Sequence, residues 1–220
     1  MADMNIEQAR HNMIEQQIRP WDVLDQRVLD RILRTPREEF VAPAYRHAAF
    51  TDMMLPIGQG EVMMEPKLEA RMLQALAVQP GDKVLEVGTG SGYVTALLAG
   101  MAAQVISVEL DETLHDQAKK RLAQQGIDNV VLEQGDAAGG WAAHQPYDVI
   151  AITGSLPSLP QSFKETLQIG GRLFAVIGSE PLMEAVLVTR INANEWREEN
   201  LFETLLPPLH NAEREATFTF

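Results

Sequence analysis

Val84-Leu-Glu-Val-Gly-Thr-Gly-Ser-Gly-Tyr93 is an apolar run that closes on an acidic residue and a Gly-x-Gly-x-Gly turn. From Lys83 to Val87 the composition is that of a strand, and the glycines at 88, 90 and 92 permit backbone conformations and a close ligand approach that side chains would block. Tyr93 to Ala99 reads as a helix, so a strand, a glycine turn and a helix start together aim free amides at a ligand. This marks a nucleotide-type site; its bland counterpart is a tight turn with no ligand. The dinucleotide fingerprint Gly-x-Gly-x-x-Gly calls for glycine or alanine where this chain has Tyr93, which argues against a nicotinamide cofactor.

Two strands downstream add acidic ends. Gln104 to Leu110 is apolar and delivers Glu109 roughly twenty residues beyond Glu86, where a carboxylate can accept from both hydroxyls of a ribose. Asn129 to Gln134 is a third strand, followed by Gly135-Asp136. With Glu86 just ahead of the turn, this layout resembles motif I of the S-adenosylmethionine-dependent methyltransferases. The resemblance implies that Glu86, Gly88, Thr89, Gly90, Ser91, Gly92, Glu109, Leu110, Asp136 and Ala137 hold S-adenosylmethionine, with Asp136 meeting the adenine amino group.

Composition accommodates that reading. The 220 residues suffice for one good-sized domain, and 45% are hydrophobic, enough for a buried core. No uninterrupted apolar stretch is long enough to cross a bilayer, and Met1 to Gln8 lacks a basic start followed by an apolar segment, so a cytoplasmic location is expected. Cysteine is absent, which removes disulfides, thiolate metal sites and cysteine nucleophiles. A net charge of −13 opposes non-specific affinity for phosphate backbones, so nucleic acid is not expected as a partner. The basic stretches Lys119-Lys-Arg121 and Arg27 to Arg37 read as solvated helix faces.

Along the chain, residues 5–18 and 24–34 read as amphipathic helices separated at Arg19-Pro-Trp-Asp22. Residues 35–43 form a proline-bounded connector and 48–65 a loop rich in Met and Gly. A helix over 66–78 places Leu68, Met72, Leu73 and Leu76 on one face. Strands are expected at 83–87, 104–109, 129–134, 147–153, 171–177, 184–191 and 199–206, with helices at 92–100, 111–125 and 160–168. The alternation predicts an α/β fold with a doubly wound, mostly parallel, Rossmann-like sheet, antiparallel additions at one edge and an N-terminal helical cap. Residues 1–78 would supply the cap and a substrate loop and residues 79–220 the α/β core, together one compact unit.

Motifs outside the glycine turn narrow the resemblance. Met13-Ile-Glu-Gln-Gln-Ile18, Pro36-Arg-Glu-Glu-Phe-Val41, Leu55-Pro-Ile-Gly-Gln-Gly60, Pro66 and Gln79 to Tyr93 occur in order. Gly135-Asp136, Pro146-Tyr-Asp148, Gly170-Gly-Arg-Leu173 and Leu206-Pro-Pro-Leu209 follow them. From about residue 9 to about residue 209 the chain resembles the protein-L-isoaspartate O-methyltransferase family. The resemblance implies methylation of the α-carboxylate of an isoaspartyl residue in a damaged protein or peptide, a repair activity. That chemistry needs no base, because a carboxylate with an ordinary pKa of about 3.9 is already ionised at pH 7. His11, His47, His115, His144 and His210 are scattered and read as surface or packing residues.

The chain departs from that family in the expected substrate loop, Ile57, Gly58, Gly60, Val62 and Met64. Relatives typically continue Pro-Ile-Gly-x-Gly-Gln-Thr-Ile-Ser-Gln-Pro, whereas here Glu61 stands for Gln, Val62 for Thr, Met64 for the active-site Ser and Glu65 for Gln. Val62 and Met64 have no hydroxyl to offer a carboxylate, and Glu61 and Glu65 add negative charge. The catalytic residue is thus left unassigned. Met53, Met54, Met63 and Met64 read as an apolar lid, not a copper site, and no metal is expected. Ala137 follows Asp136 where relatives usually have Gly, and Ser155 is read as a turn residue near the acceptor. A different methyl acceptor, or cofactor binding without catalysis, remain as alternatives.

Overall fold

The computed structural model describes residues 5–212. Helix α1 (Ile6–Met13) is capped by the Asn5 side chain, which accepts from the Gln8 N–H at 3.1 Å. Pro20 has no N–H for the turn before it, and the helix loosens to a π turn over Ile14–Ile18 before tightening to a 3-10 turn over Arg19–Trp21. The single helix expected over 5–18 is therefore two pieces. Met13, Ile14 and Ile18 all reach the core. Asp25 caps α2 (Gln26–Arg34), and 3-10 turns over Arg37–Glu39 and Pro43–Ala48 follow.

The stretch expected to be a loop contains an antiparallel hairpin, β1 (Leu55–Gly58) with β2 (Glu61–Met63). Its tip is left-handed through Gly58, Gln59 and Gly60, at φ 106°, 56° and 85°. Pro66 opens α3 (Pro66–Leu76), which buries Leu68, Met72, Leu73 and Leu76.

The rest is one seven-stranded sheet and its helices. In chain order come β3 (Lys83–Val87), α4 (Tyr93–Ala99), β4 (Gln104–Glu109), α5 (Glu112–Gln124), β5 (Val130–Gln134), β6 (Tyr147–Leu156), α6 (Gln161–Thr166), β7 (Leu167–Ser179), β8 (Leu182–Asn192) and β9 (Glu195–Glu203). The spatial order is β5-β4-β3-β6-β7-β8-β9. Strands β3 to β7 run parallel, whereas β8 and β9 add antiparallel at the β7 edge. This is the Rossmann-like, doubly wound sheet with an antiparallel edge. The last strand starts earlier than expected and stops at Glu203, because Pro207 and Pro208 have no N–H for a ladder.

Side chains alternate faces with the pleat. Val84, Val105, Val149 and Ala151 join the core shared with α3, α4 and the N-terminal helices, while Leu85, Ile106, Ile150 and Ile152 join a second core with Phe163 and Tyr147. Motif residues lock the strand starts. Asp148 accepts from the Lys83 N–H at 2.8 Å, and Arg172 donates to Asp82 at 2.6 Å and to the Leu76 carbonyl at 2.8 Å. Among the described residues no helix is long and apolar enough to cross a membrane.

The N-terminal segment is tied down by a buried guanidinium. Arg37, with no exposed surface, donates to the carbonyls of Ala49 at 2.9 Å and Met64 at 2.6 Å, and pairs with Glu69. Its guanidinium lies 4.8 Å from the Tyr93 ring centroid. Burial pushes the Glu69 carboxyl up and the guanidinium pulls it back down. Arg37→Met strands a buried carboxylate and two carbonyls, so the expected loss of stability is about 3–5 kcal/mol in urea denaturation. Adding Glu69→Leu to that variant should recover part of it.

Candidate active site

A cavity of about 400 Å³ opens at the carboxyl ends of β3, β4, β5 and β6, where open parallel sheets place their ligands. Gly88 and Gly90 floor it. Gly88, at φ 95°, has no room for a side chain: a β-carbon would lie 2.5 Å from Thr153 Oγ1. The Thr153 hydroxyl is directed at the carbonyls of Val87 at 2.8 Å and Gly88 at 2.6 Å.

Glu109 walls one side. Its Oε2 accepts from the Gly90 N–H at 2.8 Å and its Oε1 from the Asp111 N–H at 3.0 Å, so the carboxylate is held rigidly with a lone pair left on each oxygen. Leu110, Gly135, Asp136, Ala137 and Ala138 continue the wall. Asp136 accepts from the Ala138 N–H at 3.0 Å and from the Asn211 amide at 2.9 Å.

Two covering segments face each other across the opening. One is the hairpin, contributing Ile57, Gln59, Glu61 and Val62; the other is the strap Leu206–His210. Ser155, 1% exposed, anchors the strap: its hydroxyl donates to the Leu206 carbonyl at 2.7 Å, its N–H to Pro207 at 2.9 Å, and its carbonyl accepts from Leu209 at 2.9 Å. Leu209 lies where a side chain on Gly154 would stand. His210 Nε2 meets Glu61 Oε1 at 2.7 Å, joining strap to hairpin.

Of the residues anticipated for the cofactor, Gly88, Gly90, Glu109, Leu110, Asp136 and Ala137 line the cavity, whereas Glu86, Thr89, Ser91 and Gly92 do not. Glu86 lies beneath it, fully buried, with Oε2 accepting from Ser107 at 2.6 Å and Thr95 at 2.5 Å. The Thr89 hydroxyl meets that of Ser107 at 2.6 Å. Ser91 accepts from the Tyr93 N–H, and Gly92, at φ 84°, is the turn residue that admits α4. These four shape the turn from behind.

In the hairpin, Ile57 and Val62 reach the cavity, while Gly58, Gly60 and Met64 do not. Met63 and Met64 are core residues, Met53 is exposed and Met54 partly buried, so the anticipated methionine lid is absent. The cover is Ile57, Val62 and the Leu206–Leu209 strap instead. The sequence held one usable signal for the strap: the Leu206-Pro-Pro-Leu209 motif, whose prolines cannot continue a ladder. Nothing in it pointed to Ser107, Thr95 or the His210–Glu61 pair, whose partners are far apart in the chain.

The family model for protein-L-isoaspartate(D-aspartate) O-methyltransferase matches residues 8–214. The chain belongs to the protein-L-isoaspartate O-methyltransferase family. A family relative from Syntrophus aciditrophicus is 41% identical over 197 residues, covering 89% of this chain and 90% of its own length. Another, from Alteromonas mediterranea, is 44% identical over 160 residues, covering 72% of this chain and 76% of its own. A solved protein-L-isoaspartate O-methyltransferase superposes with a TM-score of 0.79 at 25% identity, covering 92% of this chain and 65% of that one. A Plasmodium falciparum structure titled as a putative family member in complex with S-adenosyl-L-homocysteine shares the fold, with a TM-score of 0.74 at 19% identity.

Burial pushes the Glu86 carboxyl up to about 8; Ser107 and Thr95 oppose the shift and Glu109 adds to it. The unfolded chain ionises near 4.5, so the native state is stabilised fully below that pH and loses this contribution as pH rises towards about 8. Glu86→Gln mimics the neutral acid. Urea denaturation between pH 5 and 8.5 should show wild type losing a few kcal/mol, with the variant close to wild type at pH 5 and flatter above it.

Proposed function

We propose that this protein is an S-adenosylmethionine-dependent O-methyltransferase that esterifies the α-carboxylate of isoaspartyl residues in damaged protein or peptide. The observation that carries this reading is the convergence on one cavity of the glycine turn, Glu109 and Asp136 with the hairpin and strap. The site suits the cofactor: a held carboxylate with free lone pairs for a ribose, a floor at Gly88 that admits close approach, and an apolar cover.

Glu109 would hold the ribose hydroxyls and Asp136 the adenine amino group, and Leu110 and Ala137 line the cavity beside them. When bound, the cofactor would supply a sulfonium methyl to an acceptor carboxylate oxygen, the electrons of the broken carbon–sulfur bond staying with sulfur. No proton moves, because the acceptor carboxylate is already ionised at neutral pH, so the site needs no general base. Ile57, Val62 and Leu206–Leu209 exclude water and orient the acceptor, so the chain contributes positioning more than chemistry. A cytoplasmic location fits a chain without cysteine, and the acidic surface favours a protein acceptor over a nucleic acid. The N-terminal 78 residues act as cap and acceptor loop and the remainder as the cofactor-binding core.

Labelled-methyl transfer to an isoaspartyl peptide and its aspartyl twin tests the reading: selective turnover of the first is expected. Equal background on both sinks it. Turnover confined to some other acceptor would favour the second reading, to which Val62 points by bringing no hydroxyl to the cavity. Glu109→Ala should weaken S-adenosylhomocysteine by about ten- to a hundredfold in calorimetry, since it removes charged acceptors worth about 1.5–3 kcal/mol. Undiminished affinity would remove the ribose assignment.

A further inference from the structure

We propose that His210, paired with Glu61, is the specificity-determining side chain that orients the acceptor's carboxylate. This rests on the reading of the cavity as a carboxylate methyltransferase site.

The cavity presents a problem of charge. Glu61, Glu109, Asp111 and Asp136 line it, and among the described residues His210 is the one lining side chain that can carry a positive charge. An anionic acceptor entering between carboxylates in a partly desolvated cleft meets repulsion unless a cation or aimed donors offset it. Few side-chain donors are available. Val62 has none, the Thr153 hydroxyl faces the Val87 and Gly88 carbonyls, and the Ser155 hydroxyl is buried against Leu206. Gln59, at the hairpin tip, offers only a neutral amide.

His210 lines the same cavity and is held beside Glu61. The strap that carries it is fixed to Ser155 on one side, and the neighbouring Asn211 is bonded to Asp136 at 2.9 Å. Nε2 lies 2.7 Å from Glu61 Oε1, whereas Nδ1 has no hydrogen-bond partner among the described residues. A neutral ring donating Nε2–H to Glu61 turns a lone pair outward at Nδ1; an imidazolium donates from both nitrogens. The Glu61 contact fixes the plane of the ring and leaves Nδ1 turned away from the hairpin, where a protonated ring donates to the incoming carboxylate. Among the described residues Glu61 on the hairpin is the charged group in contact with the ring, and Glu109, Asp111 and Asp136 line the same cavity. The arrangement supplies a charged donor at the mouth in place of hairpin hydroxyls.

Steady-state kinetics on an isoaspartyl peptide, with wild type, His210→Ala and His210→Lys, test this. His210→Ala should raise KM for the peptide about tenfold with kcat within about twofold. Its affinity for S-adenosylhomocysteine, measured by calorimetry, should be unchanged. His210→Lys, which keeps a cationic donor at that position, should keep a KM near that of wild type. An unchanged KM in the alanine variant overturns the proposal, as does a parallel loss of cofactor-product affinity, which would mean the ring only braces the strap. A wild-type protein that binds S-adenosylhomocysteine but forms no ester on the peptide overturns the reading of the site, and the proposal with it.

Discussion

The carboxyl of Glu86, buried where β3, β4 and α4 meet, holds the floor of the cavity in place. Ser107 reaches it from β4 and Thr95 from α4, and Thr89 in the turn bonds in turn to Ser107. One acidic side chain thereby ties two strands, a helix and the glycine turn into a single unit. The turn then presents Gly88 and Gly90 at fixed height, with the Gly90 N–H delivered to Glu109. Burial costs this carboxyl its charge near neutral pH, and two hydroxyl donors offset only part of that cost. The result is a rigid floor made from a neutral acid.

The cover is built on the same principle of buried polar anchors. Arg37 draws the ends of the hairpin region inward through the carbonyls of Ala49 and Met64, and Glu69 neutralises it from α3. Ser155, at the end of β6, holds the strap through three hydrogen bonds. Both anchors use backbone groups of the segments they hold, so the side chains of hairpin and strap are not needed for the anchoring. Met64 fills core while its carbonyl serves Arg37, so this position is fixed by the scaffold and not by the cavity.

The sheet was legible because its strands announce themselves twice, by apolar runs and by the acidic or glycine residues that end them. Elements whose form depends on missing hydrogen bonds were less so. The π turn at Ile14–Ile18 depends on Pro20 and on three apolar residues that all seek the core, a compromise that helical periodicity alone does not display. The hairpin at 55–63 was hidden because Leu55, Ile57 and Met63 alternate over too few residues, and because its glycine-rich tip also suits a loop. The final strand was displaced because apolar Leu205 and Leu206 suggest a strand that the following prolines do not allow.

By itself the sequence determined the sheet class, the glycine turn and the carboxylates at the strand ends, because these depend on local composition and on strand polarity. It also determined that Val62 and Met64 bring no hydroxyl to this segment. Only the tertiary structure separated the residues that face the cavity from those that brace it, sending Glu86, Thr89 and Met64 inward and leaving Glu109 and Val62 on the wall. Likewise it alone brought His210 to Glu61 and Ser155 to the strap, since such pairings are set by how sheet, hairpin and strap close in space. Spacing along a chain carries no record of a contact made between segments that meet only when the fold is complete.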